Sequence, residues 1–166
     1  PLPATSLEAE ELKMDTAGMA IGSFRVNTGS NSDAQSSISG NLHMDFNALV
    51  PKNKGMMSAN LKASLSHSDI LGIAKDFIPK DLARSYPTQP LNAHISVNGN
   101  IDSINIDTLH LLIPKSIDAR ANGYIANAMA IESMRSDLCV DVSTMNLNFV
   151  SRYLGLSGVN IPSMNL

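Results

Sequence analysis

The chain has no tryptophan and a single cysteine, and Phe, Trp and Tyr together make up only 4% of its 166 residues. Platforms that stack bases or sugars are built from aromatic faces, so this scarcity argues against such ligands. One cysteine, Cys139, excludes an intrachain disulfide. Inside the run LCVDV it reads as a small buried hydrophobe. Charge is scarce too: Asp, Glu, Lys and Arg account for 16%, with a net charge of -3, against about 25% in an average globular chain. No basic field is present to hold a phosphate backbone, so nucleic acid is not an expected partner. No apolar run approaches the roughly 18 residues of a membrane-spanning helix, and no secretory leader pattern is present. Pro1-Leu2-Pro3 and Met164-Asn165-Leu166 look like the ends of a segment cut from a longer protein, whose targeting sequence would lie elsewhere. The length suits one domain, since a chain of about 150 residues can bury roughly 70% of its unfolded surface.

What the chain does have is alternation. Leu91, Ala93, Ile95 and Val97 alternate with Asn92, His94, Ser96 and Asn98, the period of a strand with one apolar and one polar face. Leu12 and Met14, Met19 and Ile21, and Phe24 and Val26 alternate likewise, with a slip at Gly22-Ser23 that a bulge would absorb. Ser36 to Val50 predicts a strand with Leu42, Met44, Phe46, Ala48 and Val50 on one face. After a turn at Pro51 to Gly55, Met57, Ala59, Leu61, Ala63 and Leu65 face it in a hairpin with one dry side. Asn98-Gly99 predicts the next hairpin turn. Beyond it Ile104 and Ile106 differ in parity from Leu109, Leu111 and Ile113, which places a bulge or bend near Asp107. Ile117, Ala119, Ala121, Gly123 and Ile125 make a face of small residues suited to close approach by a neighbouring layer, and Leu138, Val140 and Val142 continue the pattern.

The period changes to that of a helix in two places only. Ile70, Leu71, Ala74, Phe77 and Ile78 form an apolar stripe, with Ser68 as N-cap and Asp69 in the first turn. Pro79 would stop it, and Leu82 and Tyr86 could add one more turn before Pro87. Leu147, Val150, Tyr153 and Leu154 form the second, ended by Gly155. The expected fold is therefore mainly β, a curved antiparallel sheet with two short covering helices near Ser68–Ile78 and Leu147–Leu154; a right-handed parallel β-helix is the alternative, disfavoured by so tight a turn at Asn98-Gly99. Residues 1–35 read as lead-in strands and a flexible loop, 36–90 as a first β unit with its helix and 91–166 as a second, in one continuous domain. The two units rhyme weakly, Gly40-Asn41-Leu42 with Gly99-Asn100-Ile101, and suggest an extendable architecture.

Chemistry is hard to find. His43, His67, His94 and His110 have no metal-ligand spacing, and His94 and His110 fall on polar strand faces, as solvated histidines do. There is no phosphate-binding glycine loop and no nucleophile elbow. Asp102, Asp107 and Asp118 fit turn capping better than paired acid–base work. The expectation is a protein without catalytic residues, metal or cofactor. The nine methionines fill a core or form an adaptable lining that accepts acyl chains of varied shape.

The stretch GNIDSINIDTLHLLIPKSIDARANGYIANAMAIESMRSDL resembles the repeats of the AsmA-like superfamily, most of all the TamB translocation and assembly modules of Bacteroidetes-type bacteria. The likeness lies in a Gly-Asn followed by alternating Ile and Asp, a Leu-His-Leu run, a small-residue strand with Gly123, and a strand leading into Leu147-Asn148-Phe149; it covers roughly residues 36 to 166. It implies a periplasmic location, in a protein anchored to the inner membrane by a segment outside this one, and a long taco-shaped sheet with an apolar inner groove. It also implies phospholipid movement to the outer membrane or outer-membrane biogenesis, and an outer-membrane barrel partner met by regions outside this chain. No catalytic residues come with it. On this reading the lipid-contact candidates are Leu42, Met44, Phe46 and Leu61, with Ile95, Val97, Ile104 and Ile106 in the second half. A structural module that binds protein partners at exposed sheet edges is the alternative.

Overall fold

The computed structural model describes residues 5–28, 35–52, 55–73, 86–128 and 130–145. They form one eight-stranded sheet: β1 (Thr5–Met14), β2 (Gly18–Thr28), β3 (Ser36–Asp45), β4 (Met57–Leu65), β5 (Leu91–Asn100), β6 (Ser103–Ile113), β7 (Ile117–Ala126) and β8 (Arg135–Thr144). Each strand pairs antiparallel with the next in sequence. The meander has no crossover and does not close, so among the described residues β1 and β8 are its edges. A mainly β antiparallel fold was the expectation. The parallel β-helix is excluded for the described residues, because every pairing among them is antiparallel.

The alternation explains the sheet, and its two interruptions explain the register. In β2, Met19 and Ile21 have odd positions and Phe24 and Val26 even ones, so a single apolar face needs an inserted residue. The β2–β3 pairing shifts between Ile21 and Phe24, at Gly22-Ser23. Edge strand β1 takes the same step at Glu11, whose φ is 54, so that Ala9 meets Phe24 and Leu12 meets Ile21. The second shift lies in β6 between Ile106 and Leu109, at Asp107-Thr108, where the parity change requires it.

Several local expectations are corrected. β3 stops at Asp45, and Phe46–Leu49 forms a short 3-10 helix, so Phe46, Ala48 and Val50 do not prolong the strand. Long-range hydrogen bonds hold this segment across the sheet end. Phe46 N–H donates to the Ala17 carbonyl at 2.8 Å, Ile101 N–H to the Ala48 carbonyl at 2.9 Å, and Met56 N–H to Asp45 Oδ2 at 2.9 Å. Ala48 is fully buried there. The hairpin after β5 turns at Ile101-Asp102, not at Asn98-Gly99, which both lie inside the strand. Asn100 makes the turn: its Oδ1 accepts from the N–H groups of Asp102 and Ser103, each at 3.0 Å.

Helix α1 spans His67–Ile73, and Asp69 lies in its first turn as expected. Its N-cap is Ser66, two residues before the expected Ser68, with Ser66 Oγ accepting from Asp69 N–H at 3.2 Å. The Asp69 carboxylate accepts in turn from Thr28 Oγ1 at 2.8 Å and from Ser36 Oγ, which pins the helix to the facing ends of β2 and β3. The rest of the expected stripe, Ala74, Phe77 and Ile78, lies outside the described residues, as do Pro79, Leu82 and the expected helix Leu147–Leu154. An unforeseen second 3-10 turn, Ile131–Ser133, precedes β8. Gly40-Asn41-Leu42 lies in mid-β3 whereas Gly99-Asn100-Ile101 runs out of β5 into a turn, so the weak repeat does not place its two copies alike.

Candidate functional site

Directly paired residues share a face, so the pairings can be followed across the whole sheet. One row runs Leu7, Val26, Ile38, Ala63, Ala93, Leu111, Ala119, Val142. The next runs Ala9, Phe24, Gly40, Leu61, Ile95, Leu109, Ala121, Val140, and the third Leu12, Ile21, Leu42, Ala59, Val97, Ile106, Gly123, Leu138. None holds a polar side chain. A fourth row, at the end covered by the 3-10 helix, begins Met14, Met19, Met44, Met57 and passes through Gly99, Ile104 and Ile125 to Ser136. The two bulges keep these rows whole, since without them half of β1, β2 and β6 would turn their apolar side chains over.

This face is not a dry core among the described residues. Besides Pro87, their only buried apolar side chains are Ala48, Ile70 and Ile113, and no large side chain is fully buried. Most row residues of β2 to β7 are half-exposed, and at the edges Leu7 and Val140 are 69% and 60% exposed. The hairpin face expected to be dry is therefore half-open. Its relief is uneven. Ala119, Ala121 and Gly123 make β7 a low strip between the larger side chains of β6 and β8, which stand two strand spacings, or about 9.6 Å, apart.

Of the residues singled out in the sequence, the structure brings all but Phe46 together. Leu42, Val97 and Ile106 share one row, Leu61 and Ile95 the adjacent one, and Met44 and Ile104 the methionine row. Phe46 is not among them, because it begins the 3-10 helix. The four-methionine register was not legible beforehand: each methionine was visible, but cross-strand alignment depends on turns and bulges far away in sequence.

The opposite face is polar, mostly Asn, Ser and Thr, with one charged row: Glu8, Arg25, Ser39, Lys62, His94, His110, Arg120, Asp141. Two shallow depressions lie at the bulges. One of about 470 Å³ is bordered by Glu10, Ser23, Arg25 and Lys62, and one of about 380 Å³ by His110, Arg120, Cys139 and Asp141. Cys139 is exposed, contrary to expectation, because Leu138, Val140 and Val142 take the apolar face and leave it the polar one. His94 and His110 are on the polar face as expected, but neither is simply solvated. They stand directly opposite each other; His110 Nε2 lies 2.9 Å from Asp118 Oδ1, and His94 Nε2 is buried without a hydrogen-bond partner.

The three aspartates serve structure. Asp102 lies in the β5–β6 turn and accepts from Lys52 N–H at 2.5 Å. Asp107, at the bulge, accepts from the side chains of Asn98 and Asn105, each at 2.6 Å. Asp118 accepts from Arg120 Nε at 3.2 Å and Nη2 at 3.0 Å; these bonds, with that from His110, hold its carboxyl below the usual carboxylate range against the opposing effect of burial. Among the described residues no group of three or more His, Cys, Asp or Glu side chains could hold a metal ion, and no helix is long and apolar enough to cross a membrane. No protein-family model matches the chain, and neither curated proteins nor solved structures give a match.

Proposed function

We propose that this chain is a segment of a periplasm-spanning β-groove protein that carries phospholipid acyl chains to the outer membrane or takes part in building that membrane. The observation that supports this reading is the set of three charge-free rows crossing all eight strands on a face the described residues leave half-open. An exposed apolar surface of that extent marks a binding surface. An acyl chain gains roughly 0.8 kcal/mol per buried methylene, so it needs no strong polar anchor, and the strip along β7 offers it a bed between two raised walls. In the full-length protein the face curls into a groove, the head groups remain in water at the seam, and anchor and barrel partner belong to segments outside this chain. The family resemblance supplies the cellular setting. The protein carries out no catalysis.

One observation favours a second reading, assembly by strand addition. Both edge strands are ten residues long and present exposed apolar side chains, Leu7 and Leu12 on β1, Val140 and Val142 on β8.

Binding of a fluorescent phospholipid tests the first reading. An unpaired charge among acyl chains is costly, so Ile95→Asp and Ile104→Asp should keep the fold and weaken binding at least about tenfold, equivalent to roughly 1.4 kcal/mol. Undiminished binding by folded variants would sink it. Unfolding of both variants would show that the face is a closed core.

A further inference from the structure

The charged row of the polar face has its acids at the two edges and its cations inside. Glu8 faces Arg25 and Asp141 faces Arg120, while Lys62, His94 and His110 occupy the middle in direct register. Counting Asp118, which Arg120 and His110 share, the fixed charges are three of each sign and the row is balanced while the imidazoles are neutral. The rows on either side add almost nothing: Asn60, Ser96 and Thr108 on one, Ser64, Asn92 and Leu112 on the other. Acid changes this balance at one place. With both imidazoles protonated, two further cations stand side by side between Lys62 and Arg120. Like charges directly opposite on neighbouring strands destabilise the pairing.

The groups facing the pair compensate a charge on His110 but none on His94. They are Lys62 from β4, Arg120 and Asp118 from β7, and Asp141 one strand further on; Asp107, at the bulge, is occupied by Asn98 and Asn105. His110 Nε2 lies 2.9 Å from Asp118 Oδ1, so a proton on His110 keeps an acceptor there, shared with Arg120, and the uncompensated charge is that on His94. His94 has no carboxylate in register, and its Nε2 is buried without a partner, so a proton placed there meets no acceptor. The apolar face behind the pair contributes no charge. A second, independent feature lies at the same place. The β5–β6 ladder is broken by the bulge between Ser96 and Val97, two residues from His94, with Thr108 two residues from His110 on the facing strand.

We propose that the His94–His110 pair, set beside the β5–β6 bulge, is an acid-operated weak seam in the sheet: protonation loosens β5 from β6 while the strands on either side stay paired. The seam does not depend on what the apolar face binds. General charge repulsion would act in the opposite direction, because the chain carries a net charge of -3 and acidification brings it nearer to zero.

Amide hydrogen exchange, expressed as protection factors at about pH 7.5 and 5.5, tests this. In the unmodified chain, protection of β5 and β6 should fall at least about tenfold more than that of β3 and β4. His94→Gln should abolish most of the difference, and His43→Gln, which alters a histidine outside the seam, should leave it intact. Should His94→Gln fail to fold, Lys62→Gln, which removes the like charge opposite His94 from an exposed position, must shrink the difference. A uniform fall across all strands, or a fall that persists in the folded His94→Gln or Lys62→Gln chain, overturns the proposal.

Discussion

Gly123 stands opposite the bulged part of β6 with a φ of 137, and a Cβ there would collide with the Asp137 carbonyl of β8. Gly123→Ala is therefore expected to lower stability by about 1–3 kcal/mol, read as a shift of the urea midpoint; an unchanged midpoint would mean that β7 and β8 separate there at no cost. Asp69 gives a prediction in pH. The Ser36 hydroxyl first, then that of Thr28, holds its carboxyl below the ordinary value of 3.8, and burial opposes them. A carboxyl lowered in the fold contributes stability that is complete above its unfolded value and is lost as pH falls through the folded one. The affected window lies below about pH 4, well apart from the histidine range. Asp69→Asn should flatten the stability curve in that window, and an unaltered acid limb would contradict the assignment. At this scale the sequence was partly legible. Asp69 in the first helical turn and the histidines on polar faces followed from local pattern. Ser66 as the cap, Cys139 on the surface and the juxtaposition of His94 with His110 did not, because each depends on a boundary or register set by distant residues.

Among the elements, the bulges were the most legible, since a change of apolar parity inside one strand has few other solutions. The two corrected turns were not. Asn98-Gly99 carries a strong hairpin signal, yet the turn falls three residues later, at Ile101-Asp102, where the Asn100 side chain closes it. Phe46 to Leu49 alternates like a strand, yet bonds to Ala17 and Ile101 wind it into a 3-10 helix. The edges carry a prediction of their own. β1 is interrupted at Glu11 and carries Glu8, Glu10 and Glu11, devices that discourage a new partner strand. β8 pairs with β7 in unbroken register, contains no proline or lysine, and leaves Val140 60% exposed. Val140→Lys should change stability by no more than about 0.5 kcal/mol and reduce self-association in light scattering. Self-association that remains unchanged in the variant would show that β8 is not the sticky edge.

At the scale of the whole sheet, the described residues make eight strands in sequence order, with charge-free rows across one face and, on the other, mostly neutral polar side chains crossed by one charged row. The fold class follows from alternation that any reader of the sequence can see, while the extent of the apolar face does not: it exists only once seven pairings and two bulges line up the strands. Such a face asks for something to cover it, and acyl chains are the cover proposed. The direct test of that proposal is photo-crosslinking in the cells that make the protein, from a photoreactive side chain at position 95 or 104, with positions 94 and 105 on the polar face as controls. Phospholipid adducts from 95 and 104, and none from 94 and 105, are the expected result. Adducts from 95 and 104 to protein alone, in correctly folded variants, would contradict it.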